Sequence, residues 1–173
     1  MDPRLRTRAL PSDLVGVYGL LEEASSWLRA RGSAQWSSVY PIERFAREVA
    51  EGHVWYWGAG EEPIATVTLL PRPPDYYPQD VWNDGTPAWY LCRFAVKRAL
   101  ARRRVGESLL RQLEIDAAGQ GLRALRLDVG PEAPFLQDYY RAHGFEDRGV
   151  VELMGVQSAL LERLVRAGLP AQQ

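Results

Sequence analysis

The amino-acid sequence predicts a single α/β domain of mixed α+β character, and three observations point to it. Runs of period two, the signature of a half-buried strand, alternate with runs of helical period along the chain. The length of 173 residues, with 46% apolar and 25% charged content, is that of one ordinary globular domain. No internal repeat, low-complexity tract or linker divides it. A chain this long buries about 70% of the surface its unfolded form exposes, so a core can form without disulfides or structural metal. Cys92 is the one cysteine and cannot form an intramolecular bridge or a cysteine-rich zinc site, which predicts a reducing cytoplasm and no metal. No stretch near the N-terminus has the length of a signal core and no window approaches a membrane span, so a soluble protein without a membrane partner is expected.

The elements follow in order. Leu5, Thr7 and Ala9 alternate with Arg4, Arg6 and Arg8 as a first strand, and Pro11-Ser12-Asp13 stops it. Ser12 is the expected N-cap of a helix carrying Leu14, Val17, Tyr18, Leu21, Ala24 and Leu28 on one face and ending at Gly32. Pro41 opens a second helix with Ile42, Phe45, Ala46 and Val49 inward, closed by Gly52. His53–Trp57 and Pro63–Leu70 read as a β-hairpin around Gly58–Glu62. Five prolines from Pro71 to Pro87, with Tyr76, Tyr77, Trp82, Asp75, Asp80 and Asp84 among them, exclude a regular element. A loop of this length inside a domain is usually functional.

Ala88–Val96 then has the length and apolarity of a strand, and Val105, Leu109, Leu110, Leu113 and Ala117 form a helical stripe up to Gly119. Leu125, Leu127 and Val129 alternate as another strand, Phe135–His143 is short and helical before Gly144, and Val150–Leu153 is strand-like. Ser158–Val165 suits either a helix, by Leu160, Leu161, Leu164 and Val165, or the second arm of a hairpin turned at Gly155.

Between strand and helix lie Lys97, Arg98, Arg102, Arg103 and Arg104, with Gly106 in the first turn. Free N–H groups and the macrodipole make such a helix start an anion site, a glycine admits phosphate oxygens to the backbone, and arginines add bidentate contacts. A solvated basic turn and a nucleic-acid patch are the competing readings. The net charge of −1 and the absence of helix-turn-helix or zinc spacing argue against the nucleic acid.

The run from Leu91 to Phe145 resembles the central region of the GNAT N-acetyltransferase superfamily. Phe94-Ala95-Val96 is similar to the end of that family's fourth strand, and Ala101–Gly106 falls in the register of its pyrophosphate loop, with Ala101 and Arg104 in place of a Gln/Arg and a glycine. Tyr140-Arg141-Ala142-His143-Gly144-Phe145 is similar to its Tyr-x-x-x-Gly-Phe helix end, with Ala133 where an asparagine is frequent. Gly32–Trp36 and Ala159–Arg163 resemble further elements of the family and tip the C-terminal segment toward strand.

The resemblance implies a mixed, mostly antiparallel sheet of six to seven strands, splayed between the fourth and fifth, with about four helices. It implies acetyl transfer from acetyl-CoA to a primary amine of a small molecule or peptide, by direct attack. Phe94, Ala95, Val96, Arg102, Arg103, Arg104, Val105, Gly106, Glu107 and Ser108 would bind the cosubstrate, and Tyr140 would protonate the departing thiolate. A backbone N–H near Phe94 would polarise the thioester carbonyl. No general base is assigned. His53, His143 and Cys92 are expected to be structural, and a homodimer stays open. The loop acids Asp75, Asp80 and Asp84, with the tryptophans, form an acceptor-side hypothesis for a cationic amine. The alternative is a GNAT-like fold that binds a ligand without catalysis.

Overall fold

The computed structural model describes residues 6–32, 39–59 and 62–166. Positions 33–38, which include most of the Gly32–Trp36 element, and positions 60–61 of the hairpin turn lie outside them. Two compact units are distinguished, Met1–Leu69 with Cys92–Leu109, and Leu70–Leu91 with Leu110–Gln173.

The first unit opens with β1 (Arg6–Arg8), α1 (Leu14–Arg29) and α2 (Ile42–Ala50), followed by β2 (Val54–Ala59) and β3 (Glu62–Leu70). Val17, Leu20 and Leu21 of α1 recur at helical spacing and close a core with Phe45 and Val49 of α2 and Val54 of β2. Ser12 does not cap α1. Pro11–Asp13 forms a single 3₁₀ turn instead, and Asp13 turns its carboxylate back to accept the Leu10 N–H at 2.8 Å. The proline before Ser12 favours that tighter turn, which feeds α1 directly. Gly52 ends α2 at φ +77°, as expected of a helix-terminating glycine.

The helix α3 (Val105–Gly119) belongs to the first unit up to Leu109 and to the second from Leu110, where β5 (Ala124–Val129), α4 (Pro134–Ala142), β6 (Glu146–Leu153) and β7 (Val156–Leu164) follow. The turn between β6 and β7 is Met154-Gly155, both at positive φ, which is the two-residue type I′ hairpin. With β4 (Ala88–Val96), the seven strands run in the order β1-β2-β3-β4-β5-β7-β6. β4 and β5 are parallel and the other pairs antiparallel, with four α-helices among the described residues, as the resemblance implies.

Register sorts the faces of β5 and β7. Leu125 pairs with Arg163, and Arg163 reaches Glu114 of α3 and the His143 carbonyl at the end of α4, so this face lies against the helices. Arg126 pairs with Glu162 and Asp128 with Leu160 on the opposite face. Tyr77 of the proline-rich segment packs with Leu160 and Leu153 there, and Trp82 is adjacent. Residues 71–87 therefore cover a face of the sheet. The register of β6 against β7 breaks between Asp147 and Val150, with Gly149 at φ +113°.

Candidate functional site

β4 pairs with β5 only over Ala88–Tyr90 against Ala124–Arg126, yet β4 continues to Val96 and β5 to Val129. The physical cause is at Arg93, whose φ of +52° puts a left-handed residue into an extended strand. Such a backbone costs on the order of 1–2 kcal/mol in a non-glycine residue. Its side chain is clamped: Arg93 Nη2 donates to Glu48 Oε1 of α2 at 2.6 Å, its Nε to Thr68 Oγ1 at 3.3 Å, and its guanidinium lies 4.3 Å from the centre of the Tyr40 ring. Tyr40 donates to the same Glu48 oxygen at 2.9 Å, and burial pushes its phenol above the usual range. After the bulge come Phe94 and Val96, half-buried, and Ala95, buried in the core of the first unit.

The basic turn follows. Lys97 donates its backbone N–H to Ile64 of β3 at 2.8 Å and pairs with Glu62 through its ammonium. Arg98 stacks at 3.9 Å on Trp27, while its N–H is received by Glu23. Arg102 and Arg104 both take positive φ, +64° and +57°, so Arg104 adopts the conformation for which a glycine is the usual choice. The Ser108 N–H bonds the Arg104 carbonyl at 3.1 Å, which leaves the N–H groups of Val105 and Gly106 in the first turn without an intrahelical acceptor. Successive donors in such a turn form an anion-binding concavity. Arg104 holds Glu107 by two bonds of 2.6 and 2.7 Å, whereas Arg102 and Arg103 are exposed with no ion-pair partner among the described residues.

Tyr140 stands in the last turn of α4. The Phe145 N–H bonds the Tyr140 carbonyl at 3.1 Å and the Gly144 N–H bonds the Arg141 carbonyl at 3.1 Å, with Gly144 at φ +82°. These two bonds are a Schellman motif, and the apolar contact that accompanies it is the Tyr140 ring against Phe145 at 5.4 Å. The Tyr-x-x-x-Gly-Phe spacing is thus a helix stop that fixes the tyrosine's backbone and ring at once. His143 is tied to the Tyr139 carbonyl through Nδ1 at 2.6 Å and to its ring.

On β5, Arg126 is only 1% exposed and sits at the centre of a polar row. Its guanidinium donates to Glu162 of β7 at 2.7 Å, to the Tyr90 hydroxyl at 3.2 Å and to Asp84, and lies 4.3 Å from the Trp82 ring. Burial alone would favour the uncharged form, and these bonds outweigh it, so the charge is retained. The hydrogen bond from Arg126 lowers the Asp84 carboxyl to about 2. Two positions along, Asp128 receives the Tyr77 hydroxyl at 2.6 Å and that of Tyr76 at 3.3 Å on one oxygen, Oδ1.

A family model described as the acetyltransferase (GNAT) family matches residues 20–145. The chain belongs to the GNAT family. An uncharacterized N-acetyltransferase, YesJ, of Bacillus subtilis (strain 168) is 32% identical over 146 residues, covering 82% of this chain and 81% of its own. The solved GNAT acetyltransferase of Listeria monocytogenes matches with a TM-score of 0.76 at 22% identity, over 92% of this chain and 94% of that one. The PaiA N-acetyltransferase of Thermoplasma acidophilum, in complex with coenzyme A, matches with a TM-score of 0.69 at 16% identity, over 92% and 98%. At these identities the solved structures speak for the fold.

Within the GNAT frame, acetyl transfer is the general activity. The sequence-predicted residues fall in two places: Phe94–Ser108 forms a continuous strand end, turn and helix start in the first unit, and Tyr140 lies in the second. Arg93, Glu48 and Arg126 were not flagged by sequence reasoning. Arg93 sits in an apolar run, and Arg126 and Asp128 alternate with leucines like a solvated face, so only the length of the loop that covers them was a signal. That loop does hold a cation by a carboxylate and an aromatic ring, and the cation is the chain's own Arg126. Among the described residues no group of three His, Cys, Asp or Glu is placed to hold a metal, and no helix is long and apolar enough to cross a membrane.

Proposed function

We propose that this GNAT chain, acting as one domain over residues 1–173, transfers an acetyl group from acetyl-CoA to a primary amine of a small molecule or peptide. The observation that carries the reading is the turn after β4, where left-handed Arg102 and Arg104 precede a helix start with free backbone donors. The chemistry of that donor set fits a pyrophosphate: the N–H groups of Val105 and Gly106 would bind its oxygens, and Arg102 and Arg103 would add charge. The β4–β5 ladder covers Ala88–Tyr90, and beyond it the strand end Phe94–Val96 would lie along the pantetheine arm, with the Phe94 N–H as the donor to the thioester carbonyl.

Acetyl-CoA supplies the acyl group as a thioester. The Tyr140 hydroxyl has a proton to give, which would pass to sulfur as the carbon–sulfur bond breaks. Its fixed backbone and ring would hold the hydroxyl in one place, and positioning supplies much of the rate in such a transfer.

Thermal unfolding tests the donor half. Acetyl-CoA at saturating concentration is expected to raise the midpoint by mass action, and no shift at millimolar acetyl-CoA would remove the reading. Tyr140→Phe is expected to keep that shift and lower kcat by about 100-fold, whereas full kcat would remove the acid role. The second reading, a GNAT fold that binds without catalysis, is favoured by one observation: Arg104 spends its charge on Glu107. A thermal shift with no turnover over an amine panel would support it.

A further inference from the structure

We infer that Arg163 of β7, held by Glu114 of α3, is a positioning residue that sets where Tyr140 presents its hydroxyl. This rests on the acetyltransferase reading and names what places its proton donor. All of the residues involved lie in the second unit.

The need for such a device comes from α4 itself. The helix is nine residues long and none of them is buried, so neither intrinsic helix stability nor core packing fixes its position. Its ends do. Ala133 before the first turn and Phe145 after the last are buried, and the Schellman turn joins Phe145 to Tyr140. That turn satisfies the carbonyls of Tyr140 and Arg141 and provides no donor for the carbonyl of the C-cap, His143. Arg163 meets it: Nη1 donates to the His143 carbonyl at 3.0 Å, and the side chain runs along Gly144, with Nε 3.6 Å from where a Cβ would stand. The His143 N–H in turn bonds the Tyr140 carbonyl at 3.0 Å, so the guanidinium acts one hydrogen bond away from the tyrosine backbone. Its charge also offsets the negative end of the helix macrodipole.

The second bond of Arg163 makes it a fixed point. Nη2 pairs with Glu114, a carboxylate only 3% exposed. Leu110, Leu113 and Ala117 of the same helix are fully buried, so α3 is the firm element there and α4 the dependent one. A planar guanidinium with an acceptor on each arm is a short strut from α3 to the last turn of α4. Arg141 also ties α4 to Asp147 of β6, but those side chains are 40% and 53% exposed, and solvent screens the pair.

The test removes both charges together, because losing Arg163 alone would leave Glu114 buried without its cation. In the double variant Glu114→Met with Arg163→Met, two unbranched apolar side chains replace the pair, a change expected to leave the melting midpoint within a few degrees. Thiol release from acetyl-CoA is followed with n-hexylamine, 1,5-diaminopentane and glycinamide. The double variant is expected to lower kcat by about tenfold, with KM for acetyl-CoA and its thermal shift unchanged. In a Tyr140→Phe background the same two substitutions are expected to change kcat by less than about twofold, since the group they place is gone. An equal fall in both backgrounds, or an unchanged kcat in the first, overturns the proposal. Arg163→Lys keeps a cation for Glu114 but has no second arm for the carbonyl, and is expected to lower kcat several-fold at an unchanged midpoint; full kcat there also counts against the strut. Amide hydrogen exchange reads the same strut without turnover: the Gly144 and Phe145 amides are expected to exchange about tenfold faster in the double variant, and unchanged rates overturn the proposal. If the wild-type protein acetylates none of the three amines, the acetyltransferase reading fails separately, and the exchange rates decide whether Arg163 holds the end of α4.

Discussion

Arg93 of β4 and Arg126 of β5 are both strand arginines with little exposure, and they are held by different means. Arg93 stands on a left-handed backbone and is gripped by Glu48, Tyr40 and Thr68, so its side chain anchors a distortion of its own strand. Arg126 stands on a regular backbone, and its partners are the residues opposite it in register, Tyr90 and Glu162, plus Asp84 and Trp82 of the covering loop. One arginine fixes where a ladder ends; the other fastens a segment without secondary structure to a sheet. Enclosing an arginine therefore does not define its task, and the partners do.

The largest expected effect comes from removing Arg126. Arg126→Ala leaves Glu162, only 6% exposed, with Arg148 as its remaining cation and strips the loop of its fastening. Breaking a buried pair in this way costs about 3–5 kcal/mol, or roughly 10 °C in melting midpoint for a chain of this size. Calorimetry showing a loss under about 1 kcal/mol would reduce Arg126 to the rank of a surface residue.

Arg93 sharpens the contrast through its backbone. Arg93→Ala and Arg93→Gly both lose the Glu48 pair, but alanine keeps the left-handed strain and glycine relieves it. The glycine variant is expected to be the more stable of the two by about 1 kcal/mol, the reverse of the usual order inside a strand. Urea unfolding of the two variants measures it. Alanine equal to or above glycine would mean that the strand straightens when the clamp is gone.

The smallest effect is confined to acid. Asp84 has its carboxyl lowered from 3.8 to about 2 by Arg126, so the unfolded chain takes up the proton first. The stability that this contributes is present above about pH 4 and is lost as pH falls through about 2. Asp84→Asn is expected to flatten that limb of the stability curve while changing the midpoint at neutral pH by a few degrees at most, because the carboxyl is half exposed and screened. An unchanged acid limb in the variant would detach Asp84 from the loop's fastening.

The order of elements was legible because its signals are local: helical stripes, Gly52 and Gly144 as stops, and alternation in β5. Ser158–Val165 was ambiguous for a physical reason. β7 is buried on both faces, Leu160 under the covering loop and Leu161 toward the helices, so adjacent leucines mimic a helical pair. The turn before α3 was legible by position, although Arg104 replaces a glycine, because backbone geometry rather than side-chain identity makes that feature. The Arg93 clamp and the Arg126 row were not legible. Each joins residues far apart in sequence, 45 positions for Arg93 and Glu48 and 42 for Arg126 and Asp84, and no local period encodes such a meeting.

The end of the strand order at β6 bears on how the molecule behaves when crowded with its own copies. Glu146, Asp147, Arg148 and Glu152 line this outer strand, and its ladder is broken between Asp147 and Val150. Another copy approaching edge-on finds interrupted donors and acceptors and charges of both signs in place of a flat, unbroken run. Such an edge is a poor template for a further strand, even though Val150 and Met154 present apolar surface there.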